Sequence, residues 1–170
     1  MEPALTLSPP LTLAPLARND SARVLHLALP PEQQIFAGPI ENVIDDGDQT
    51  VDFHIGNVSD GPVCFFKIDR DYNTRLTGFD LAEQGFQPGD LGLRALIVGS
   101  QFQGKGYGTA AMAALPTYLA RHYPARHCFL TVNLRNPAAI SLYTKSGWQD
   151  TGQTYLGGKA GPQILMRLEL

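Results

Sequence analysis

The chain has 170 residues, 44% of them apolar and 17% charged, with a formal net charge of −3 and a pI near 5.7. That composition can bury a sizeable core and excludes a disordered chain, and its acidic balance argues against a nucleic-acid partner. No run of about 18 apolar residues is present to cross a membrane, and the two cysteines, Cys64 and Cys128, lack the second pair that a metal site needs, so they read as reduced core thiols.

The start, "MEPALTLSPPLTLAPL", has an acidic second residue and repeated prolines where a signal peptide has a positive end and an unbroken apolar core, so a cytoplasmic protein is expected. "LTLAPL" reads as a first strand, and "NDSARVLHLAL" as a helix capped by Asn19 to Ser21 and stopped by Pro30 and Pro31. "PEQQIFAGPIENVIDD" follows as short helical pieces broken at "GP". Strands are expected at "TVDFHIG" and "PVCFFKID", separated by the turn "SDGP". Residues 72–90 read as an irregular surface lobe. "LGLRALIV" is a strand, "YGTAAMAALPTYLARHY" a helix that Pro116 should bend or interrupt, and "CFLTVN" another strand. "NPAAISLYTKSGW" is a punctuated helix, with Asn136 as N-cap, Pro137 in the first turn, Lys145 near the end and Gly147 as the stop. "QILMRLEL" closes with a strand. The alternation implies one α/β domain over residues 1–170.

Between the strand "LRALIV" and its helix lies "QGKGYGTA", three glycines around Lys105. Such a turn brings bare backbone N–H groups and the positive helix end to an anion. A P-loop is excluded, because Gly106 stands where Ser or Thr would hold magnesium. A dinucleotide fold is excluded as well, since the connection from Val98 to Gly106 is too long and no acid follows to hold a ribose. A pyrophosphate bound without metal remains, as does a turn whose N–H groups meet only water.

The second helix separates these readings. Gln103, Gly106 and Gly108, followed by Asn136, Ala139, Leu142, Tyr143, Gly147 and Trp148, resemble the two motifs of the GNAT superfamily of acyl-CoA N-acetyltransferases. The resemblance is strong over residues 91–149, and "QQIFAGP" with "LRALIVGSQFQGKGYG" is similar to its polyamine-acetylating branch. It implies a single-domain GNAT-like fold, with a central mixed, mostly antiparallel sheet whose middle strands splay, flanked by helices. It implies acetyl-CoA as co-substrate. The pantetheine arm would lie along Leu96, Ile97 and Val98, and the pyrophosphate on the amides of Gln103, Gly104, Lys105, Gly106, Tyr107, Gly108 and Thr109. Asn136 and Ala139 would hold the cofactor from the second helix. A backbone N–H near Ile97 or Val98 would stabilise the oxyanion, and Tyr143 would protonate the leaving thiolate. Taken alone, Tyr143 also fits a helical stripe of core residues with Ala139 and Leu142, and Asn136 an ordinary cap.

Many members carry a Glu on the strand that here reads "LGLRAL"; this one offers Arg94 instead. The general base is open among Asp69, Asp71, Asp90 and His54. A non-catalytic acyl-CoA-binding module is the alternative that this departure allows. Charge is divided along the chain: residues 91–149 hold six bases and no acid, whereas residues 32–90 hold twelve acids and only Lys67, Arg70 and Arg75. In this fold the earlier residues wall the acceptor side, so an anionic wall and a small polyamine-like acceptor are expected, with an amino-acid-like acceptor second because of Arg94. A homodimer is left open, and neither metal, nucleic acid nor membrane is expected as a partner.

Overall fold

Seven strands form one sheet in the order β1-β2-β3-β4-β5-β7-β6, and the computed structural model describes residues 10–170. The expectation about a leader falls on residues 1–9 and lies outside the described part. The strands are β1 (Thr12–Leu16), β2 (Val51–Val58), β3 (Gly61–Asp69), β4 (Leu91–Val98), β5 (His127–Asn133), β6 (Gln149–Tyr155) and β7 (Gln163–Glu169). The helices are α1 (Pro31–Ala37), α2 (Ile40–Ile44), α3 (Tyr107–His122) and α4 (Pro137–Lys145). Every neighbouring pair is antiparallel except β4 and β5. These two run parallel and are partnered only at Leu91 with Cys128 and Gly92 with Phe129, after which they part. The middle of the sheet is therefore open toward the end of β4.

β3 is buried from Pro62 to Asp69, as a central strand should be. Its Cys64, Phe66 and Ile68 join a core with Met112, Leu115 and Leu119 of α3 and with Tyr143 and Trp148. Phe65, on the opposite face, packs with Leu27, Ile40, Val43, Phe53 and Ile97. A third cluster, built on Tyr72, Leu81, Phe129 and Leu165, is covered by the irregular lobe over residues 72–86. Both cysteines are buried free thiols, raised well above the ordinary thiol value by burial.

β4 carries a bulge. Its pairing with β3 slips between Phe65–Ile97 and Lys67–Arg94, so two β4 residues stand opposite Phe66, and Ala95 takes φ 54. It is the one non-glycine residue with positive φ among those described.

Three segments differ from what the sequence suggested. The segment expected as a helix over residues 19–29 is a short 3-10 turn, Arg18–Val24, followed by irregular chain. Its buried residues Val24, Leu27 and Leu29 do not repeat as a helical stripe, no side chain caps its start, and Leu25 is exposed. Helix α3 is not interrupted at Pro116 but runs on through it. The proline leaves the Met112 carbonyl without its donor, but Met112, Leu115, Tyr118 and Leu119 are all buried around it, and that burial outweighs the lost bond. Strand β6, "QDTGQTY", was not expected. It is a polar, largely exposed edge strand with an irregular register around Gly152 (φ 79), so it has no apolar alternation to announce it.

Candidate functional site

A cavity of about 430 Å³ opens where β4 and β5 part. Leu96 and Val98 line it from β4; Gln103, Gly104 and Gly106 from the loop; Tyr107, Gly108 and Thr109 from the start of α3. Asn136, Ala139 and Tyr143 close it from α4. Two residues expected there stand aside. Ile97 is fully buried in the opposite core, so only its backbone can face the cavity, and Lys105 is exposed outside the lining.

The local geometry follows from the glycines. Gly104 and Gly106 take φ of 74 and 84, which L side chains rarely adopt, and a Cβ on Gly104 would meet open space. Gly108 lies inside the first turn of α3, where a Cβ would only touch Leu142 and Val98 at 3.6 and 3.7 Å. The cradle is thus bare backbone at a helix start, the donor set that a pyrophosphate needs. Gln103 stabilises it from below: its amide donates to the Val98 carbonyl (2.9 Å) and exchanges hydrogen bonds with Gln33 of α1. The Asn136 side chain accepts from the Ala139 N–H at 3.3 Å, so the cap reading of this residue holds locally.

Tyr143 also borders a second cavity of about 520 Å³, and Phe36 and Ala37 of α1 are shared between the two. Tyr143 is 8% exposed, its ring meets Trp148 edge-on at 5.7 Å, and burial raises its hydroxyl well above the ordinary tyrosine value. A phenol so held is protonated at neutral pH and is competent to donate.

Three cations line the second cavity: Lys67, Arg75 and Arg94. The acids of the preceding half stand behind them. Asp69 is fully buried and accepts from Arg75 Nε (2.9 Å) and Arg94 Nη1 (3.0 Å). Asp48 accepts from Arg75 at 2.6 Å and Asp46 from Lys67 at 2.9 Å. Burial lowers the Lys67 ammonium despite this pair; at Asp46 burial acts upward, but the hydrogen bonds from Lys67 and from the Asp48 N–H hold the carboxyl below its usual value. The expected anionic wall is therefore absent from the lining, because its acids are paired with arginine and lysine side chains. Sequence reasoning missed Phe36, Lys67 and Arg75. Only Phe36, inside "QQIFAGP", had a local signal.

None of the four base candidates lines these cavities. Asp69 is enclosed by its two arginines, and Asp71 follows it in the turn after β3. Asp90 accepts from the Arg126 and His127 N–H groups and from His127 Nδ1, which ties the start of β5 to the chain before β4. His54 is buried beneath α3, 2.6 Å from the Tyr118 hydroxyl and 2.9 Å from that of Tyr123. Tyr123 donates onward to Asp52 (2.7 Å), so His54 Nε2 donates to Tyr123 and Nδ1 accepts from Tyr118, the neutral imidazole. Burial, with His122 nearby, lowers His54 to about 4 against the pull of Asp52.

A model of the acetyltransferase (GNAT) family matches residues 30–148, from α1 through α4. The chain belongs to that family. Among curated members, an uncharacterized N-acetyltransferase of Bacillus subtilis (strain 168), YbbJ, is 33% identical over 108 residues, which is 63% of each chain. The spermine/spermidine N(1)-acetyltransferase of the same organism is 31% identical over 71 residues, 42% of this chain and 47% of that protein. The chain thus spans less than two thirds of the length of these relatives. Among solved structures, the aminoglycoside acetyltransferase AAC(6')-Ib, in complex with Parmomycin and acetyl-CoA, superposes with a TM-score of 0.71 over 94% of this chain and 93% of that one, at 20% identity. That likeness establishes the fold, an α/β mixed sheet flanked by helices. Among the described residues no helix is long and apolar enough to cross a membrane, and no cluster of His, Cys, Asp or Glu could hold a metal ion.

Proposed function

We propose that the chain is an acetyl-CoA-dependent N-acetyltransferase acting on a primary amine of a small molecule, by direct attack in a ternary complex. The observation that carries this reading is Tyr143, which borders both the glycine-cradled cavity and the polar cavity beside it. One cavity suits the cofactor and the other an acceptor, so both reactants could be held against one phenol.

Acetyl-CoA supplies the activated thioester. The amides from Gln103 to Thr109 would bind its pyrophosphate, and Leu96, Val98, Asn136 and Ala139 would line its pantetheine arm. The amine nitrogen bonds to the carbonyl carbon, the C–S bond breaks, and the sulfur takes the Tyr143 proton. The amine's own proton leaves through water, because no carboxylate lines the acceptor cavity. A backbone N–H after the β4 bulge would meet the developing oxyanion. The names of two relatives favour a polyamine acceptor; the chemistry of the lining favours another class, developed below. The rival reading, an acyl-CoA-binding module without activity, rests on Arg94 standing on β4 in place of an acid.

One experiment separates them. Calorimetry with acetyl-CoA in the presence of a chelator should show binding, and a panel of primary amines should accelerate release of free thiol. Binding without acceleration by any amine supports the module. Absence of binding, or binding that requires magnesium, ends both readings.

A further inference from the structure

The acceptor cavity carries a charge pattern that the division of the sequence conceals. Lys67, Arg75 and Arg94 line it, whereas no Asp or Glu lines it or the glycine-cradled cavity that shares Tyr143 with it. The three carboxylates nearby, Asp46, Asp48 and Asp69, are engaged from behind by those same cations. Arg18, which lines a different cavity, holds the Asp46–Asp48 turn in place by donating to the backbone carbonyls of Asp46, Asp48 and Val51. The three cations are paired with three carboxylates, yet only the cations line the cavity, so a ligand there meets N–H donors rather than carboxylate oxygens.

Arg94 is the best placed of them. It pairs with Lys67 across β3 and β4 and immediately precedes the bulge at Ala95. It commits Nη1 to Asp69, yet its side chain remains 40% exposed, against 29% for Arg75 and 8% for Lys67. Asp69, fully buried, fixes the guanidinium in place, so a planar anion would meet a preorganised donor. Neutral partners, Asn42, Thr131 and Gln163, line the same cavity.

We infer that the acceptor is a primary amine that also bears an anionic group, a carboxylate being the best match, seated on Arg94 with the charges of Lys67 and Arg75 in support. A dicationic polyamine would place its second ammonium among like charges. An anionic acceptor would accept from the N–H groups that these cations turn to the cavity, and the same cations favour loss of the proton from a neighbouring ammonium, which lessens the need for a carboxylate base. The inference rests on the N-acetyltransferase reading above and narrows its substrate.

Matched pairs differing by one carboxylate test it: glycine against methylamine, L-ornithine against putrescine, L-lysine against cadaverine. Taurine and phosphoethanolamine separate carboxylate from sulfonate or phosphate. The carboxylate member of at least one pair should show a kcat/KM ten-fold or more above its partner. Arg94→Met should lower kcat/KM for that member at least ten-fold more than for its partner, through KM, and Arg94→Lys should restore part of the difference. A larger kcat/KM for taurine or phosphoethanolamine keeps the anionic acceptor and changes the anion. Decarboxylated members that are turned over equally well or better overturn the inference, as does an Arg94→Met loss that is equal for both members. Intact acetyl-CoA binding with no acceleration by any anionic amine overturns it too. Failure to bind acetyl-CoA is the distinct failure of the N-acetyltransferase reading.

Discussion

The two cavities that meet at Tyr143 are made in different ways. The first is a glycine-rich backbone cradle with flanking side chains, drawn mostly from two contiguous stretches, residues 96–109 and 136–143, and closed by Leu29 and residues of α1. The second is long side chains from α1, α2, β3, β4, β5, β7 and the lobe after β3, brought together only by the completed sheet. A backbone cradle recognises what every cofactor molecule shares. A cavity of converging side chains is adjustable one residue at a time, which suits the reactant that differs among relatives named for polyamines and for aminoglycosides. The contrast predicts that damage to one cavity leaves the other intact.

The largest expected effect lies outside both cavities and fixes the conditions for comparing them. His54 titrates near 4 in the folded chain, below the ordinary histidine value of 6.5. Between those values the unfolded chain binds a proton that the folded chain refuses, so stability falls as pH drops through that window, by roughly 3 kcal/mol in all. Urea unfolding between pH 7 and pH 4 should show this slope, and His54→Gln should flatten it. A slope unchanged in the variant would assign it to other groups. Kinetic comparison of the cavities therefore belongs above pH 7.

Next in size is Tyr143→Phe, the point where the comparison should break down because both cavities share the residue. A lost general acid should lower kcat by about 10²-fold, while acetyl-CoA affinity measured by calorimetry stays nearly constant. A Phe variant with full rate would make Tyr143 a packing residue of the α4 stripe.

A smaller effect sharpens the contrast. Gly106→Val forces a β-branched residue to φ 84 at the entrance of α3, at a strain of about 1–2 kcal/mol, and narrows the cradle. Acetyl-CoA affinity should fall by about ten-fold or more. With the cofactor saturating, KM for the acceptor should be close to that of the parent. Unchanged cofactor affinity would remove the cradle from the binding surface.

The same contrast explains what could be read in the sequence. The cradle was legible because its glycines and its capped second helix lie within short windows, where spacing carries the geometry. Most strands were legible through apolar runs. The second cavity was not: counting acids over residues 32–90 gave the wrong sign for its lining, because a count does not say which carboxylates are turned inward and paired. Asp69 and Arg94 are 25 residues apart and meet only across β3 and β4. Strand β6 failed for the opposite reason, since an exposed edge needs no apolar pattern. The segment over residues 19–29 had helix-compatible composition, but its Val24, Leu27 and Leu29 are used to fill the core beneath β2 and β3 rather than one face of a helix.

The bulge at Ala95 has a consequence for how β4 is read along its length. Leu91 and Leu93, at odd positions, face the core under α3; beyond the bulge the even positions Leu96 and Val98 do so, while Ile97 turns to the other core. The strand thus has two reading frames. Arg94 belongs to the first, and the residues that border the cofactor cavity belong to the second. Losing a single residue at the junction would put the whole strand in one frame, either turning Leu96 and Val98 into the opposite layer or moving Arg94 away from Asp69. The separation of the two cavities is a phase change within one strand, sensitive to the length of the chain at position 95 far more than to the identity of the residue there.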